Sequence, residues 1–199
     1  MTEFHHAEPA VVCIGASWGG VEAIKQVLRE LPQDLGAAIC IVLHRSEHDA
    51  DRERLAQVLA RHAHVKVCEP DDKQPLHAGT AYIAPSGYHL LVDDGHASLS
   101  ADDRVRWARP SIDVLFESVA VSRGDESLVV VLTGANDDGA RGARAVHDAG
   151  GTVLVQDPDE AERREMPDAT IAMTVVDAVL PLDELAQAIV RHVTGVIAE

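Results

Sequence analysis

The run Ala37-Ala38-Ile39-Cys40-Ile41-Val42-Leu43 carries no polar residue at any position. A strand with one wet face alternates apolar and polar side chains, so an unbroken apolar run of strand length marks a strand covered on both faces, as in a parallel sheet. Val11-Val12-Cys13-Ile14 and Leu128-Val129-Val130-Val131-Leu132 repeat the pattern. Between the first two runs, residues 18–31 place Val21, Ile24, Val27, Leu28 and Leu31 on one helical face, and Pro32 ends the segment. Strands alternating with helices predict an α/β fold, with a doubly wound, mostly parallel, Rossmann-like sheet.

The rest of the chain fills in that plan. A helix is expected over residues 51–61, with Leu55, Val58 and Leu59 inward, and a short strand over 65–68. Short strands at 80–84, 88–92 and 97–100, the last two separated by Asp93-Asp94-Gly95-His96, predict an antiparallel hairpin insertion at one edge of the sheet. Arg109-Pro110-Ser111-Ile112-Asp113 opens another helix, with Pro110 suited to its first turn. Further helices are expected at 140–149 and 182–196, strands at 152–155 and 178–180, a charged loop at 158–167 and a helical turn at 169–173. Residues 1–9 read as a loose segment and residues 10–199 as one domain.

Bulk properties narrow the partners. The formal net charge is −16 and the basic residues form no dense run, which argues against nucleic acid and anionic membrane surfaces. No window reaches the length of a transmembrane helix, and residues 1–9 lack a signal-peptide plan, so the expected location is cytoplasmic. Cys13, Cys40 and Cys68 each sit in an apolar run without C-x-x-C pairing and read as buried, reduced side chains; neither a metal site nor a cofactor is expected from them.

The chemistry concentrates where the first strand stops, at Gly15-Ala16-Ser17-Trp18-Gly19-Gly20. Three readings stay open for these residues alone. They match G-x-S-x-G, the elbow that presents a nucleophilic serine. They also approach the G-x-G-x-x-G turn of a nucleotide-binding module, with Ser17 in place of its second glycine and His44-Arg45 where a ribose-binding acid is usual. In the third reading, Ser17 merely caps the following helix. In a doubly wound sheet, ligands bind where strand order reverses, at the carboxyl edge. If the first strand is central, Ser17, His44 and the pair Asp137-Asp138 end three neighbouring strands. A hydroxyl, an imidazole and a carboxylate so gathered supply nucleophile, base and orienting acid.

Four separated segments resemble the catalytic domain of the chemotaxis protein-glutamate methylesterases. Ile14-Gly15-Ala16-Ser17-Trp18-Gly19-Gly20 is similar to that family's nucleophile turn, and Ala81-Tyr82-Ile83-Ala84-Pro85-Ser86-Gly87-Tyr88-His89 to its hairpin segment. Arg109-Pro110-Ser111-Ile112-Asp113-Val114-Leu115-Phe116 and Leu132-Thr133-Gly134 through Asp138-Gly139 complete the match. The resemblance implies hydrolysis of glutamate γ-methyl esters on chemoreceptor cytoplasmic helices, with release of methanol, and deamidation of receptor glutamines. It requires neither metal nor cofactor, and it assigns Ser17 as nucleophile, His44 as base and Asp138, directly before Gly139, as orienting acid. Backbone N–H groups near Trp18 and in the loop Gly134, Ala135, Asn136 are the expected oxyanion donors. A catalytically silent adaptor that docks receptor helices is the remaining alternative.

Two departures from the family pattern concern the site. Trp18 stands where a small residue or threonine is usual, and Ala135-Asn136 replaces Met-Gly. Residues 1–9 are too short for the family's receiver domain and linker, so phosphorylation control is expected to be absent or supplied in trans by a separate receiver protein.

Overall fold

A computed structural model describes residues 8–44 and 54–195. Most of residues 1–9, together with Arg45 and the first residues of the helix expected at 51–61, lie outside that description. The first unit is β1 (Ala10–Ala16), α1 (Gly20–Glu30) and β2 (Ala37–Leu43). β1 and β2 run parallel in a register from Ala10 against Ala37 to Ala16 against Leu43. The order then continues through α2 (Arg54–Ala60), β3 (Lys66–Cys68), β4 (Gln74–Pro75), β5 (Thr80–Ile83), β6 (His89–Asp93) and β7 (His96–Ser100). The carboxyl-terminal half comprises α3 (Ile112–Arg123), β8 (Leu128–Val131), α4 (Ala140–Asp148), β9 (Thr152–Gln156), α5 (Glu165–Met173), β10 (Ala178–Leu180) and α6 (Leu182–Thr194).

Seven strands form the main sheet in the order β10-β9-β8-β1-β2-β5-β3, every neighbouring pair parallel. Strand order reverses at β1, which lies between β2 and β8, so the carboxyl ends of these strands border one crevice. The unbroken apolar runs follow from coverage on both sides. Val12, Ile14, Ile39, Ile41 and Val130 pack with Ile24, Leu28, Leu59, Leu185 and Ile189 on one face. Val11, Cys13, Cys40, Val42, Val129 and Val131 pack with Ile112, Phe116, Val119, Val146 and Met166 on the other. Each such fully buried aliphatic side chain contributes about 1.5–3 kcal/mol.

Three expectations are corrected in detail. The segment at 80–84, read with the antiparallel hairpin, is a parallel strand of the main sheet: β5 sits between β2 and β3. The hairpin is β6 paired with β7, joined by β4 in a three-stranded sheet. Leu90, Val92 and Ala97 carry it over a sheet face, beside Cys40 and Tyr82. Pro110 lies outside α3, which starts at Ile112 behind Ser111. The loop expected at 158–167 already contains the start of α5, where Pro167 occupies the first turn and its missing N–H leaves no intrahelical bond unmade.

Candidate active site

The strand-to-helix connection after β1 is built from backbone bonds. Ser17 N–H donates to Thr133 O at 3.0 Å and His44 N–H to Ala16 O at 3.0 Å, so the parallel pairing extends one residue past each strand and sets Ser17 between its two neighbours. Gly20 N–H closes a tight turn on Ser17 O at 2.9 Å, with Gly19 at φ 77°, a conformation that costs glycine little. A Cβ on Gly20 would stand 2.6 Å from Leu43 Cδ1. A Cβ on Gly15 would stand 2.4 Å from Ile112 Cγ2. These glycines are bare because neighbouring side chains pack on them, which leaves the nucleotide-fingerprint reading without the backbone approach it needs.

His44 and Asp138 meet at the same edge. His44 Nε2–H donates to Asp138 Oδ2 at 2.6 Å, and the imidazole is 13% exposed whereas the carboxylate is fully buried. Asp138 also accepts Ser111 Oγ–H at 2.9 Å, Ile112 N–H at 2.8 Å and Asp113 N–H at 3.0 Å. It therefore caps α3 from another element, at the positive end of the helix dipole. Burial alone would push its pKa up, but the His44 hydrogen bond and charge, with the Asp113 and Ile112 amides, outweigh that and hold the carboxyl below its ordinary value. Asp137, the other carboxylate of the pair, points to solvent and pairs with Arg106.

The capping is reciprocal. Asp113 Oδ1 accepts Gly139 N–H and Gly142 N–H, both at 2.9 Å, at the start of α4. Burial pushes the Asp113 carboxyl up, with the charge of Asp138 adding to the effect against the lowering by Gly142 N–H. His89, which ends the second resembling segment, is buried; its Nε2–H donates to Asp103 O at 3.1 Å and its Nδ1 accepts Ser111 N–H at 3.2 Å. A chain His89, Ser111, Asp138, His44 thus supports the imidazole. The only sequence signal for His89 and Ser111 is that they fall inside two of the four resembling segments.

The loop expected to supply oxyanion donors is differently committed. Gly134 N–H donates to Arg163 O at 3.1 Å and so is not a free donor. Asn136 Oδ1 accepts Asp138 N–H at 3.2 Å, which turns its amide Nδ2 towards His44 Nδ1 at 3.3 Å. Trp18 N–H and Ala135 N–H make no hydrogen bond among the described residues. Among those residues the Ser17 hydroxyl likewise has no bond to His44.

Trp18 is 58% exposed. Its Nε1–H donates to Glu162 Oε1 at 2.8 Å, and the Arg163 guanidinium lies 5.3 Å from its ring centroid. Glu162 and Arg163, in the stretch expected as a charged loop, therefore border the turn after β1. On the other side, a cleft of about 400 Å³ is lined by His44, Asn136, Trp107 and the arginines 104, 106 and 109.

The sequence profile of the CheB methylesterase family matches residues 12–189. A Leptospira interrogans relative is 40% identical over 90% of this chain and 93% of its own. An Anaeromyxobacter dehalogenans protein named protein-glutamate methylesterase/protein-glutamine glutaminase 2 is 42% identical over 92% of this chain but only 53% of its own, and Myxococcus xanthus protein-glutamate methylesterase FrzG is 38% identical over 92% and 54%. The chain thus spans nearly all of the first relative and about half of the other two. The crystal structure of the Thermotoga maritima CheB methylesterase catalytic domain superposes with a TM-score of 0.86 at 28% identity, covering 92% of this chain and 98% of that one. With its profile match, its relatives and its sheet topology in agreement, the chain belongs to the CheB methylesterase family.

Proposed function

We propose that this chain is a protein-glutamate methylesterase in which Ser17 is the nucleophile, His44 the base and Asp138 the group that orients it. The observation that carries this reading is the 2.6 Å bond from His44 Nε2 to a buried carboxylate held by three further donors, beside the serine of a tight strand-to-helix turn. Asp138 fixes the tautomer with its proton on Nε2 and stabilises the imidazolium. Nδ1 is then the nitrogen that takes the Ser17 proton as Oγ attacks the γ-carbonyl of an esterified glutamate. Trp18 N–H, at the amino-terminal side of α1, receives the oxyanion. Collapse of the tetrahedral adduct expels the methoxy group, which His44 protonates to methanol. Water, deprotonated by His44, then hydrolyses the acyl-enzyme to free glutamate and Ser17.

The names of the relatives couple this esterase to protein-glutamine glutaminase. The same acyl-enzyme accounts for both, with ammonia replacing methanol as leaving group. The substrates are methylated chemoreceptor helices, in the cytoplasm, and residues 10–199 act as one catalytic domain. No helix among the described residues is long and apolar enough to cross a membrane.

The test is methanol release from methyl-labelled receptor membranes. Ser17→Ala is expected to lower the rate by at least about 10³-fold, with an unchanged circular dichroism spectrum. Undiminished methanol release by that variant refutes the assignment.

A further inference from the structure

A second constructed feature stands at the mouth of the same cleft. Val105 N–H donates to Ala108 O at 3.1 Å and Ala108 N–H to Val105 O at 2.8 Å, closing a two-residue hairpin turn on Arg106 and Trp107. Both have positive φ, 49° and 66°. Turns of this kind select Asn-Gly, because the left-handed region brings Cβ against the backbone carbonyl, a clash that glycine lacks and that asparagine offsets by local hydrogen bonding. Trp107 is 92% exposed. The tip is nevertheless held in place: the Arg106 guanidinium pairs with Asp137 and lies 3.5 Å from Asp113 Oδ2, next to the two residues that cap each other's helices. A residue that is neither packed nor conformationally at ease contributes nothing evident to the fold, so its use lies outside it.

We propose that Trp107 is a specificity-determining residue of the methylesterase, its indole lying on the apolar face of the substrate helix while the ester on that helix reaches His44 through the shared cleft. The inference rests on the methylesterase reading and adds to it the part of the substrate that is recognised. Trp107 lines the cleft together with His44, so one bound segment reaches both. An indole presents a large contact area with little side-chain entropy to lose.

Trp107→Gly separates this role from a structural one, because glycine adopts positive φ without strain and the lost side chain is not packed. The full chain and its Trp107→Gly and Trp107→Phe variants are compared on a methyl-labelled helical receptor fragment and on N-acetylglutamate γ-methyl ester methylamide. Trp107→Gly is expected to melt no lower than the parent, while the ratio of kcat/KM for the fragment to that for the small ester falls at least tenfold, through KM. Trp107→Phe keeps the ratio within threefold. An unchanged ratio in Trp107→Gly overturns the inference, as does a lowered Tm with equal loss on both substrates. A parent protein that releases methanol from neither substrate overturns the methylesterase reading and this inference with it.

Discussion

Asp138 is fully buried and accepts hydrogen bonds from one side chain of the cleft, one hydroxyl and two helix amides. A carboxylate so constrained has one orientation, and through the 2.6 Å contact so does the imidazole. The other imidazole nitrogen is already engaged by Asn136, whose amide is aimed by its own bond from Asp138 N–H. The lone pair of Nδ1 cannot fully serve both that amide and the Ser17 proton. Asn136→Ala removes the competitor, and a net hydrogen bond of about 0.5–1.5 kcal/mol corresponds to a gain in kcat/KM of about 2- to 12-fold on a methyl ester substrate. A fall in kcat instead would make Asn136 an oxyanion donor, the role expected from its place in the loop. Sequence spacing cannot separate Asp137 from Asp138, since adjacent residues share the same strand end. The family resemblance favoured Asp138; in space Asp138 meets His44 and the amino terminus of α3, whereas Asp137 pairs with Arg106.

At the scale of elements, α3 and α4 are coupled through each other's aspartates, Asp113 capping α4 and Asp138 capping α3. The position of the imidazole therefore depends on how α3 is seated on the sheet. Its seat is Gly15 of β1, against which Ile112 packs. Gly15→Ala places a Cβ 2.4 Å from Ile112 Cγ2, and overpacking of this kind costs about 1–3 kcal/mol. The expected outcome is a Tm lower by several degrees together with reduced esterase activity, and partial recovery of both on adding Ile112→Ala. A Gly15→Ala protein that melts within about 1 °C of the parent argues against this seat. The apolar runs made β1, β2 and β8 legible from sequence because double coverage leaves no polar position. β5 was legible as a strand but not as a parallel one: four residues between turns carry no mark of which neighbour they pair with. α5 was obscured by Pro167, which looks like a breaker until its place in the first turn is known.

The molecule as a whole carries a net charge of −16, and beside its proposed base Arg106 is offset by Asp137 and Asp113. At 0.01 M salt the screening length is about 30 Å, so the acidic surface opposes the approach of an acidic helix; at 0.1 M it is about 10 Å and the repulsion is damped. KM for an acidic methylated fragment is accordingly expected to fall as salt rises from 0.01 to 0.1 M, and KM for an uncharged small ester to vary little. A KM for the acidic fragment that rises over that range would contradict this account. The order of residues by itself determined the parallel sheet, the three strands whose ends carry Ser17, His44 and Asp138, and the family, because apolar runs and motifs are local properties of the chain. Tertiary structure alone decided that Gly134 N–H is taken, that Asn136 engages His44 Nδ1, that His89 supports Ser111 and that Trp107 faces solvent at the cleft. Each of these depends on which distant backbone lies within about 3 Å, and a hydrogen bond's reach in space leaves no periodicity in sequence.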